Sequence, residues 1–279
     1  MDLASEIARN VRDALAEDIG AGDWTARLTS EGKSARAIVI CRSTAVLCGQ
    51  QWFAACFQKL DPTVQITWSA AEGQCVGSGE RVCEVAGNGR ALLTGERTGL
   101  NFLQTLSAVA TVTRRYVEAV AGTRAAIVDT RKTLPGLRLA QKYAVRIGGG
   151  VNHRLGLYDG VLIKENHIAA AGGVTQALAQ ARRVAPEGVW IQIEVESLEQ
   201  LNEALREGAK MILLDNMAPE QMRRAVEIAA GRAQLEASGG ITLENVRVIA
   251  ETGVDRISIG SVTKDIKAAD LSMRFVDTP

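Results

Sequence analysis

The sequence has little histidine, few aromatic residues and no net charge. Of its 279 residues, 2 are histidine and 4% are aromatic, while 32 Lys and Arg balance 32 Asp and Glu. A chain without a basic excess is not expected to bind nucleic acid through bulk electrostatics, although a local cationic pocket stays compatible with neutrality. No apolar run approaches the roughly 18–20 residues that would cross a membrane. The beginning, MDLASEIARN, lacks the apolar centre of a secretory signal, so we expect a soluble cytoplasmic protein.

The cysteine pattern does not suit a zinc site. The 5 cysteines lie in the first third of the chain, with no C-x-x-C pair and no histidine nearby. Structural zinc sites combine cysteine and histidine at characteristic short spacings. We therefore expect small buried hydrophobic side chains in a reducing compartment at Cys41, Cys48, Cys56, Cys75 and Cys83.

The hydrophobic periodicity changes near residue 35. Leu3, Ile7, Val11 and Leu15 recur every four residues, which predicts an amphipathic helix over 2–17. Between 35 and 90, short β-branched runs separated by glycine predict a small sheet with a helix near 50–60. The apolar spacing of 92–120 then predicts one or two helices that leave this first domain.

From about residue 125 onward, apolar strand-like runs alternate with helical stretches. This alternation predicts an α/β fold with a parallel sheet covered by helices. The number of βα units favours a closed or incomplete (β/α) barrel, and a doubly wound open sheet is the alternative. The predicted strands are AAIVDT (125–130), GVLIKE (160–165), IQIEVE (191–196), MILLDN (211–216), QLEASGG (234–240) and RISIGS (256–261).

Nearly every one of these strands ends in polar residues or glycine. Because active sites of parallel α/β folds lie at the carboxyl ends of the strands, the strand ends are expected to converge on one face. The cationic members of this set imply a substrate with more than one negative charge, although each alone would suit a solvated surface. They are Arg131, Lys132, Arg154 and Lys164, with His153 alongside.

Two further groups of strand-end residues complete the predicted site. Glu194 and Asp215 follow buried strands and suit Mg²⁺, with helix caps or salt-bridge partners as the alternative. Gly-containing turns at 238–240 and 258–261 indicate a phosphate nest, which an ordinary turn would also explain. No serine or cysteine is arranged with a histidine as a nucleophile, so we expect transfer with a phosphorylated substrate and no covalent intermediate.

The stretch GGGVNHRLGLYDGVLIKENH (148–167) holds both histidines. The triple glycine does not match a dinucleotide fingerprint, so we expect backbone that passes close to the substrate or to another loop. His167 lies beyond its strand, where a structural hydrogen bond is the favoured interpretation.

Several longer motifs resemble one enzyme family. LLTGERTGLNFLQTLSAVAT, DTRKTLPGLRLAQKYAVRIGGGVNHRLGLYDGVLIKENHI, IEVES, LLDN and SGGI are similar to the quinolinate phosphoribosyltransferases, also called carboxylating nicotinate-nucleotide pyrophosphorylases. The likeness runs from 17–23 to 271–275, nearly the whole chain. It implies conversion of quinolinate and phosphoribosyl pyrophosphate into nicotinate mononucleotide, pyrophosphate and CO₂, with Mg²⁺, in NAD biosynthesis.

The resemblance also implies an architecture. It predicts an N-terminal open α/β sandwich over 1–110, joined by the tail 266–279, and a C-terminal incomplete (β/α) barrel over 111–265. It further implies a homodimer or higher homo-oligomer, in which Arg97 of TGERTGLNF enters the neighbouring subunit's site.

Roles for the site residues follow from the same resemblance. The quinolinate carboxylates would be held by Thr130, Arg131, His153, Arg154 and Lys164, together with the neighbour's Arg97. Lys132 would lie between quinolinate and the phosphoribosyl donor, and Glu194 and Asp215 would hold the ribose hydroxyls and Mg²⁺, so these three are the predicted catalytic residues. The 5′-phosphate would be bound by backbone amides of Ser238, Gly239, Gly240, Ile259, Gly260 and Ser261.

Two positions depart from the family pattern. Relatives often have histidine where this chain has Lys264, which keeps a cation near the phosphate, and some have an acid where this chain has Gln192. Two alternatives stay open: a paralogous phosphoribosyltransferase with a different ring substrate, and a non-catalytic metabolite-binding barrel.

Overall fold

The computed structural model describes residues 2–276 of the chain, which form two compact units. Unit 1 takes the chain up to Arg114, then Thr133–Gly149, and then the chain from Val262 onward. Unit 2 comprises Arg115–Lys132 and Gly150–Ser261. The units differ from the expected limits (1–110 with 266–279, and 111–265) chiefly because 133–149 groups with unit 1. The last three residues of the expected tail, 277–279, lie outside the described residues.

Helices and strands fall largely where the hydrophobic pattern changes. A short 3₁₀ helix occupies Ala26–Leu28. The α-helices are α1 (Leu3–Ile19), α2 (Gln50–Leu60), α3 (Gly89–Ala119), α4 (Arg138–Ile147), α5 (Glu165–Ala171), α6 (Val174–Val184), α7 (Leu198–Arg206), α8 (Pro219–Ala229), α9 (Val246–Ala250) and α10 (Ser261–Lys264). The strands are β1 (Ser34–Cys41), β2 (Ala45–Val46), β3 (Gln65–Trp68), β4 (Cys75–Val76), β5 (Arg81–Asn88), β6 (Ala126–Val128), β7 (Gly160–Ile163), β8 (Trp190–Val195), β9 (Met211–Asp215), β10 (Gln234–Ser238), β11 (Arg256–Ser258) and β12 (Leu271–Val276).

Unit 1 is built on an antiparallel sheet with strand order β12-β1-β5-β3. Phe53 and Phe57 of α2 are fully buried in its core. A Cβ at Gly95 of α3 would lie 2.9 Å from the Phe57 ring, and one at Gly99 would lie 3.2 Å from Phe53. The two glycines therefore let α3 approach the aromatic rings, whose burial stabilises the unit by roughly 1.5–3 kcal/mol per side chain.

The cysteine expectation is correct for four residues and wrong for one. Cys41, Cys48, Cys56 and Cys83 are free and buried, whereas Cys75 is free and exposed. Cys75 lies on the two-residue strand β4, where side chains alternate between faces, and its neighbour Val76 takes the buried face.

Unit 2 contains all six predicted strands in one parallel sheet, ordered β6-β11-β10-β9-β8-β7. The first strand, β6, pairs with the last, β11, while the second strand, β7, forms the opposite edge. A doubly wound sheet would reverse direction at a switch point in mid-sheet, which this order lacks. The unit is therefore an incomplete (β/α) barrel that is open between its edge strands β6 and β7. Beside β6, an isolated bridge joins Val128 to Val151, in the segment that precedes β7.

The sequence does not predict helix α4, which explains the first glycine of the triple, Gly148. A Cβ at Gly148, just past α4, would lie 2.6 Å from the Ala110 carbonyl oxygen and 2.6 Å from Thr113 Cβ. The expectation that this glycine passes beside substrate or another loop was therefore wrong, because it gives α4 room against the backbone of α3 instead.

Candidate active site

A cavity of about 160 Å³ lies inside the barrel of unit 2. Each of the six strands contributes a residue to its wall or just beyond its carboxyl end, so the cavity brings together part of the predicted site. The predicted residues Asp215, Gly239, Gly240, Ile259, Gly260 and Ser261 are not among those that line it. Its lining residues are Asp129, Thr130, Arg131, Lys132, His153, Arg154, Leu162, Lys164, Glu194, Leu213, Glu236, Ser238 and Ser258.

A larger cleft of about 380 Å³ lies in unit 1, but its chemistry differs. Its charged lining is mainly acidic, with Asp13, Glu17 and Asp18 against one arginine, Arg9. Such a lining repels an anionic ligand. The barrel cavity is therefore the candidate site for the polyanion that the sequence predicts.

Two guanidinium groups, those of Arg131 and Arg154, line the barrel cavity. The buried Nε of Arg131 has no hydrogen-bond acceptor among residues 2–276. Arg154 is 9% exposed and donates from Nη1 to the carbonyl oxygen of Gly160 at 3.0 Å. Burial lowers the pKa of Arg154, the neighbouring charge of Arg131 lowers it further, and the charge of Asp159 raises it in part. Two like charges held together in this way provide a site for an anion.

Glu194 is one of three buried carboxylates that line the cavity among the described residues, with Asp129 and Glu236. Oε2 of Glu194 lies 3.1 Å from Nζ of Lys164. Glu194 therefore forms a salt bridge with the cationic group, which was the alternative to Mg²⁺ binding. Burial raises the pKa of Glu194, the hydrogen bond from Lys164 lowers it in part, and the charge of Asp215 raises it again. Asp215 itself accepts a hydrogen bond from Nδ2 of Asn216 at 2.8 Å. Glu194 thus has the Lys164 cation beside it and is influenced by the charge of Asp215.

The Thr130–Lys132 turn is held by its own side chain and by a glycine opposite. Lys132 donates its backbone N–H to Thr130 Oγ1 at 3.1 Å. A Cβ at Gly260 would lie 3.2 Å from Lys132 Cδ and 3.9 Å from its Nζ. Gly260 thus leaves space for the lysine side chain to extend along the loop.

The two glycine turns differ from each other. Gly239 and Gly240 have φ of 100° and 59°, and a Cβ at Gly239 would lie 2.0 Å from Asn216 Oδ1, so both positions need glycine. Consecutive amides in such conformations form an anion-binding concavity. The N–H of Ile259, in contrast, donates to the Val128 carbonyl oxygen at 2.8 Å. The expected phosphate contact from the Ile259 amide is therefore wrong, because the sheet uses that donor.

His153 lines the cavity with both ring nitrogens engaged by protein atoms. Its Nε2 lies 2.8 Å from Gln192 Oε1, and its Nδ1 accepts the N–H of Arg154 at 2.8 Å. The ring packs edge to face against Trp190 with centroids 5.1 Å apart. The structure therefore gives His153 well-defined protein partners at the position where a direct substrate contact was expected.

His167 makes the structural hydrogen bond that was expected of it. Its Nδ1 accepts the N–H of Lys164 at 2.9 Å, which caps the start of α5. Two other candidate cations, Arg97 and Lys264, belong to unit 1. Arg97 is exposed on α3, and Lys264 pairs with Asp265 at 2.8 Å.

Three further polar residues of the site have no predicted role, although Asp129 and Asn216 lie among the predicted polar strand ends. Asp129 is completely buried and accepts the His153 N–H at 2.9 Å, Asn216 orients Asp215, and Glu236 is a completely buried carboxylate in the cavity wall. For Glu236 a signal existed, because an acid flanked by apolar residues inside a buried strand needs partners. For Asn216 the sequence carries only the strand-end position.

The fold and the site together define an α/β-barrel protein with a cationic cavity at the ends of its strands. Family models agree in both units: the quinolinate phosphoribosyl transferase N-terminal domain matches residues 23–107, and the C-terminal domain of the same family matches residues 109–274. The chain belongs to the quinolinate phosphoribosyl transferase family, a family of pentosyltransferase enzymes.

Individual relatives carry the same description. The probable carboxylating nicotinate-nucleotide pyrophosphorylase of Bacillus subtilis is 43% identical over 92% of this chain and 89% of its own. The carboxylating enzyme of Mycobacterium leprae is 48% identical over 75% of this chain and 74% of its own. The solved nicotinate-nucleotide pyrophosphorylase of Francisella tularensis has a TM-score of 0.94 at 46% identity, covering 98% of this chain and 96% of that one. The sandwich and incomplete barrel are thus the fold of this family.

No helix within residues 2–276 is long and apolar enough to span a membrane.

Proposed function

We propose that this chain transfers the phosphoribosyl group of phosphoribosyl pyrophosphate to quinolinate and releases pyrophosphate and CO₂. The observation that carries the proposal is the pair Arg131 and Arg154, two guanidiniums that line one barrel cavity, with a buried Nε of Arg131 that has no hydrogen-bond partner among residues 2–276. Quinolinate bears two adjacent carboxylates on a small aromatic ring. A dicarboxylate neutralises both guanidiniums at once, which a neutral or singly charged ring does not. Family membership favours the same substrate.

The quinolinate end of the site consists of Arg131, Arg154 and Lys164, with Thr130 at the turn. Arginine binds a carboxylate through two parallel hydrogen bonds, and lysine adds a compact charge. Lys164 already contacts Glu194 at 3.1 Å, so it joins the ring-binding side of the cavity to the carboxylate side. His153 lines the same wall and supports the shape of the pocket.

The phosphoribosyl end consists of Lys132, Glu194, Asp215 and two backbone turns. The turns are Ser238–Gly240 and the Gly260–Ser261 segment. Lys132 extends past Gly260, where its ammonium neutralises the diphosphate. The carboxylates face the ribose hydroxyls, and the amides of Gly239 and Gly240 suit the 5′-phosphate.

Glu194 and Asp215 also fit Mg²⁺. They offer hard oxygen ligands, and the charge of Asp215 raises the pKa of Glu194. Among the described residues no group of three His, Cys, Asp or Glu could hold a metal ion. A magnesium ion here would complete its shell with diphosphate oxygens and water, as Mg²⁺ commonly does. When bound, the ion supplies positive charge for the leaving pyrophosphate.

The protein contributes positioning and electrostatics to the reaction. The quinolinate nitrogen bonds to the anomeric carbon while the bond from that carbon to pyrophosphate breaks. Lys132 stabilises the charge that develops on the leaving group, and the carboxylates suit an oxocarbenium-like sugar. The alkylated ring nitrogen then accepts the electron pair released when the adjacent carboxylate leaves as CO₂, and a proton from water replaces the carboxylate on the ring. No general base is required.

The assembly and location of the enzyme belong to the same proposal. Arg97 is exposed on α3, which suits a side chain that enters the site of a neighbouring subunit in a homodimer or larger homo-oligomer. Balanced charge and the lack of a spanning helix among residues 2–276 suit an enzyme of the cytoplasm.

Thermal protection tests the substrate assignment without turnover. Quinolinate is expected to raise the melting temperature of the chain, and nicotinate, which lacks one carboxylate, is expected to raise it far less. Equal protection by the two acids would contradict the assignment and favour a paralogue with a different ring substrate.

A further inference from the structure

A buried polar chain in the cavity wall joins Glu236 to His153. Glu236 lies on β10 and is completely buried. Its carboxylate accepts a hydrogen bond from Gln192 Nε2 at 3.1 Å and another from the hydroxyl of Ser258, and Nε of Arg256 lies 3.2 Å from Oε2. An unpartnered buried carboxylate would be strongly destabilising, and these groups compensate it.

Glu236 fixes the direction of the Gln192 amide. An ionised carboxylate only accepts hydrogen bonds, so the NH₂ end of the amide must face it. The carbonyl end is thereby turned toward His153, where Gln192 Oε1 lies 2.8 Å from Nε2. Because a carbonyl oxygen also only accepts, Nε2 of His153 must carry a proton and donate it.

The other ring nitrogen leads to the same tautomer independently. The backbone N–H of Arg154 donates to His153 Nδ1 at 2.8 Å, so Nδ1 carries no proton. Glu236 Oε1 lies 3.7 Å from Nε2, a distance that would also suit an imidazolium. A second ring proton, however, would point at the Arg154 N–H, and Arg256 already balances the charge of Glu236. The second carboxylate that contacts His153 is that of Asp129, and it accepts the backbone N–H of His153 at 2.9 Å.

We propose that Glu236 is a positioning residue that acts through Gln192 to hold His153 as the neutral Nε2–H tautomer. The positive charge of the pocket then comes from its arginines and lysines alone. An imidazolium at this place would add a further cation to Arg131 and Arg154, which already repel each other. The inference rests on the proposed function only for its effect on carboxylate binding, because the tautomer exists without substrate.

Imidazole ¹⁵N NMR measures the tautomer directly, and the chain suits it because His153 and His167 are its only 2 histidines. His167→Asn removes one set of signals and so assigns the other. In the untagged, substrate-free chain at pH 7, His153 is expected to show a pyrrole-type Nε2 and a pyridine-type Nδ1. Two pyrrole-type nitrogens, or a pyrrole-type Nδ1, would overturn the proposal.

Two substitutions of Gln192 test the link to Glu236. Gln192→Glu keeps the side-chain shape but removes the donor and places a carboxylate against Nε2, so the pH at which His153 gains a second ring proton is expected to rise in the same spectra. Gln192→Leu cuts the link and is expected to weaken quinolinate binding about tenfold, the scale of one hydrogen bond. Ser258→Ala is the matched control, since its hydroxyl contacts Glu236 outside the link, and the tautomer should persist.

The outcomes separate the two proposals. An unchanged pH of second protonation of His153 in Gln192→Glu, or parental quinolinate affinity in Gln192→Leu, would remove the positioning role. If Gln192→Glu does not fold, the parental spectrum and Gln192→Leu still decide the question. If the parental chain shows the expected tautomer but binds no quinolinate, the proposed function fails while the tautomer assignment stands.

Discussion

Arg131 and Arg154 line one cavity, and the charge of Arg131 lowers the pKa of the Arg154 guanidinium beyond the effect of burial. The fold thus holds two like charges together in a partly desolvated space. Arg131 Nε, moreover, has no acceptor within residues 2–276. Such an arrangement costs folding free energy that an anionic ligand recovers on binding, which is typical of a functional site rather than a structural ion pair.

Replacing Arg131 should therefore affect binding and stability in opposite directions. Arg131→Ala is expected to lose at least ~1.5–3 kcal/mol of quinolinate binding, the scale of a charge-assisted hydrogen bond. The melting temperature of the free chain should not fall, because a repulsion is removed. Calorimetry of binding and of unfolding measures both. Arg224→Ala, an exposed arginine paired with Glu227, is the control and should bind normally. Unchanged affinity in Arg131→Ala would remove this residue from the site.

The ionisation of Glu194 should affect both the pH dependence of stability and the rate of turnover. Burial raises its pKa above the ordinary 4.5. The folded chain therefore binds this proton more tightly than the unfolded chain does. As the pH rises from the pKa of Glu194 in the unfolded chain to its higher pKa in the folded chain, the free energy of unfolding decreases. Glu194→Gln cannot ionise. Relative to the parent, the variant should be more stable at pH 7, the advantage should shrink toward pH 4, and turnover should fall at least ~10²-fold.

Scanning calorimetry at the two pH values, together with a turnover assay, checks this prediction. Glu227→Gln on α8 is the matched control, since that carboxylate is exposed and should show no such pH-dependent gain. A Glu194→Gln chain that is less stable than the parent at pH 7, or that turns over normally, would contradict the assigned role.

Gly260 should matter through Lys132. A Cβ at Gly260 would come within 3.2 Å of Lys132 Cδ, so Gly260→Ala is expected to displace the lysine and raise the KM for phosphoribosyl pyrophosphate about tenfold or more. Quinolinate affinity should change little. Gly32→Ala, where no atom lies within 4 Å of the added carbon, is the control. An equal loss for both substrates would indicate general damage to the barrel instead.

Arg97 should act in the neighbouring subunit. Arg97→Ala alone is expected to be nearly inactive. When it is mixed with a chain that carries Arg131→Ala, hybrid dimers contain one site with both arginines intact, and activity should return to as much as about a quarter of the parental value if subunits exchange at random. Mixing assays after subunit exchange measure this. No recovery would argue that Arg97 acts within its own subunit or only in the structure.

Most of the strand framework was predictable, because apolar β-branched runs that end in polar residues mark buried parallel strands. The incomplete barrel was harder to distinguish from an open sheet. The two differ in the pairing of β6 with β11, and these strands are too far apart in sequence for the local hydrophobic pattern to predict that pairing. Helix α4 is not evident from the sequence pattern, and the packing of Gly148 against Ala110 depends on tertiary contact.

In the candidate site, too, some residues can be predicted from the sequence and others depend on the fold. Arg131 and Arg154 follow strand-end chemistry and motif, so the sequence predicts them. Ile259 was misassigned because a backbone N–H is used by the sheet in a register that only the fold determines. The path from Glu236 to His153 joins side chains 83 positions apart, and no sequence spacing reports it.

The most direct test of the account is CO₂ release from quinolinate labelled in the carboxylate next to the ring nitrogen. With phosphoribosyl pyrophosphate and Mg²⁺, the chain is expected to release labelled CO₂ in step with nicotinate mononucleotide, and omission of phosphoribosyl pyrophosphate should abolish it. No release at high enzyme concentration, or formation of a nucleotide without loss of CO₂, would contradict the account.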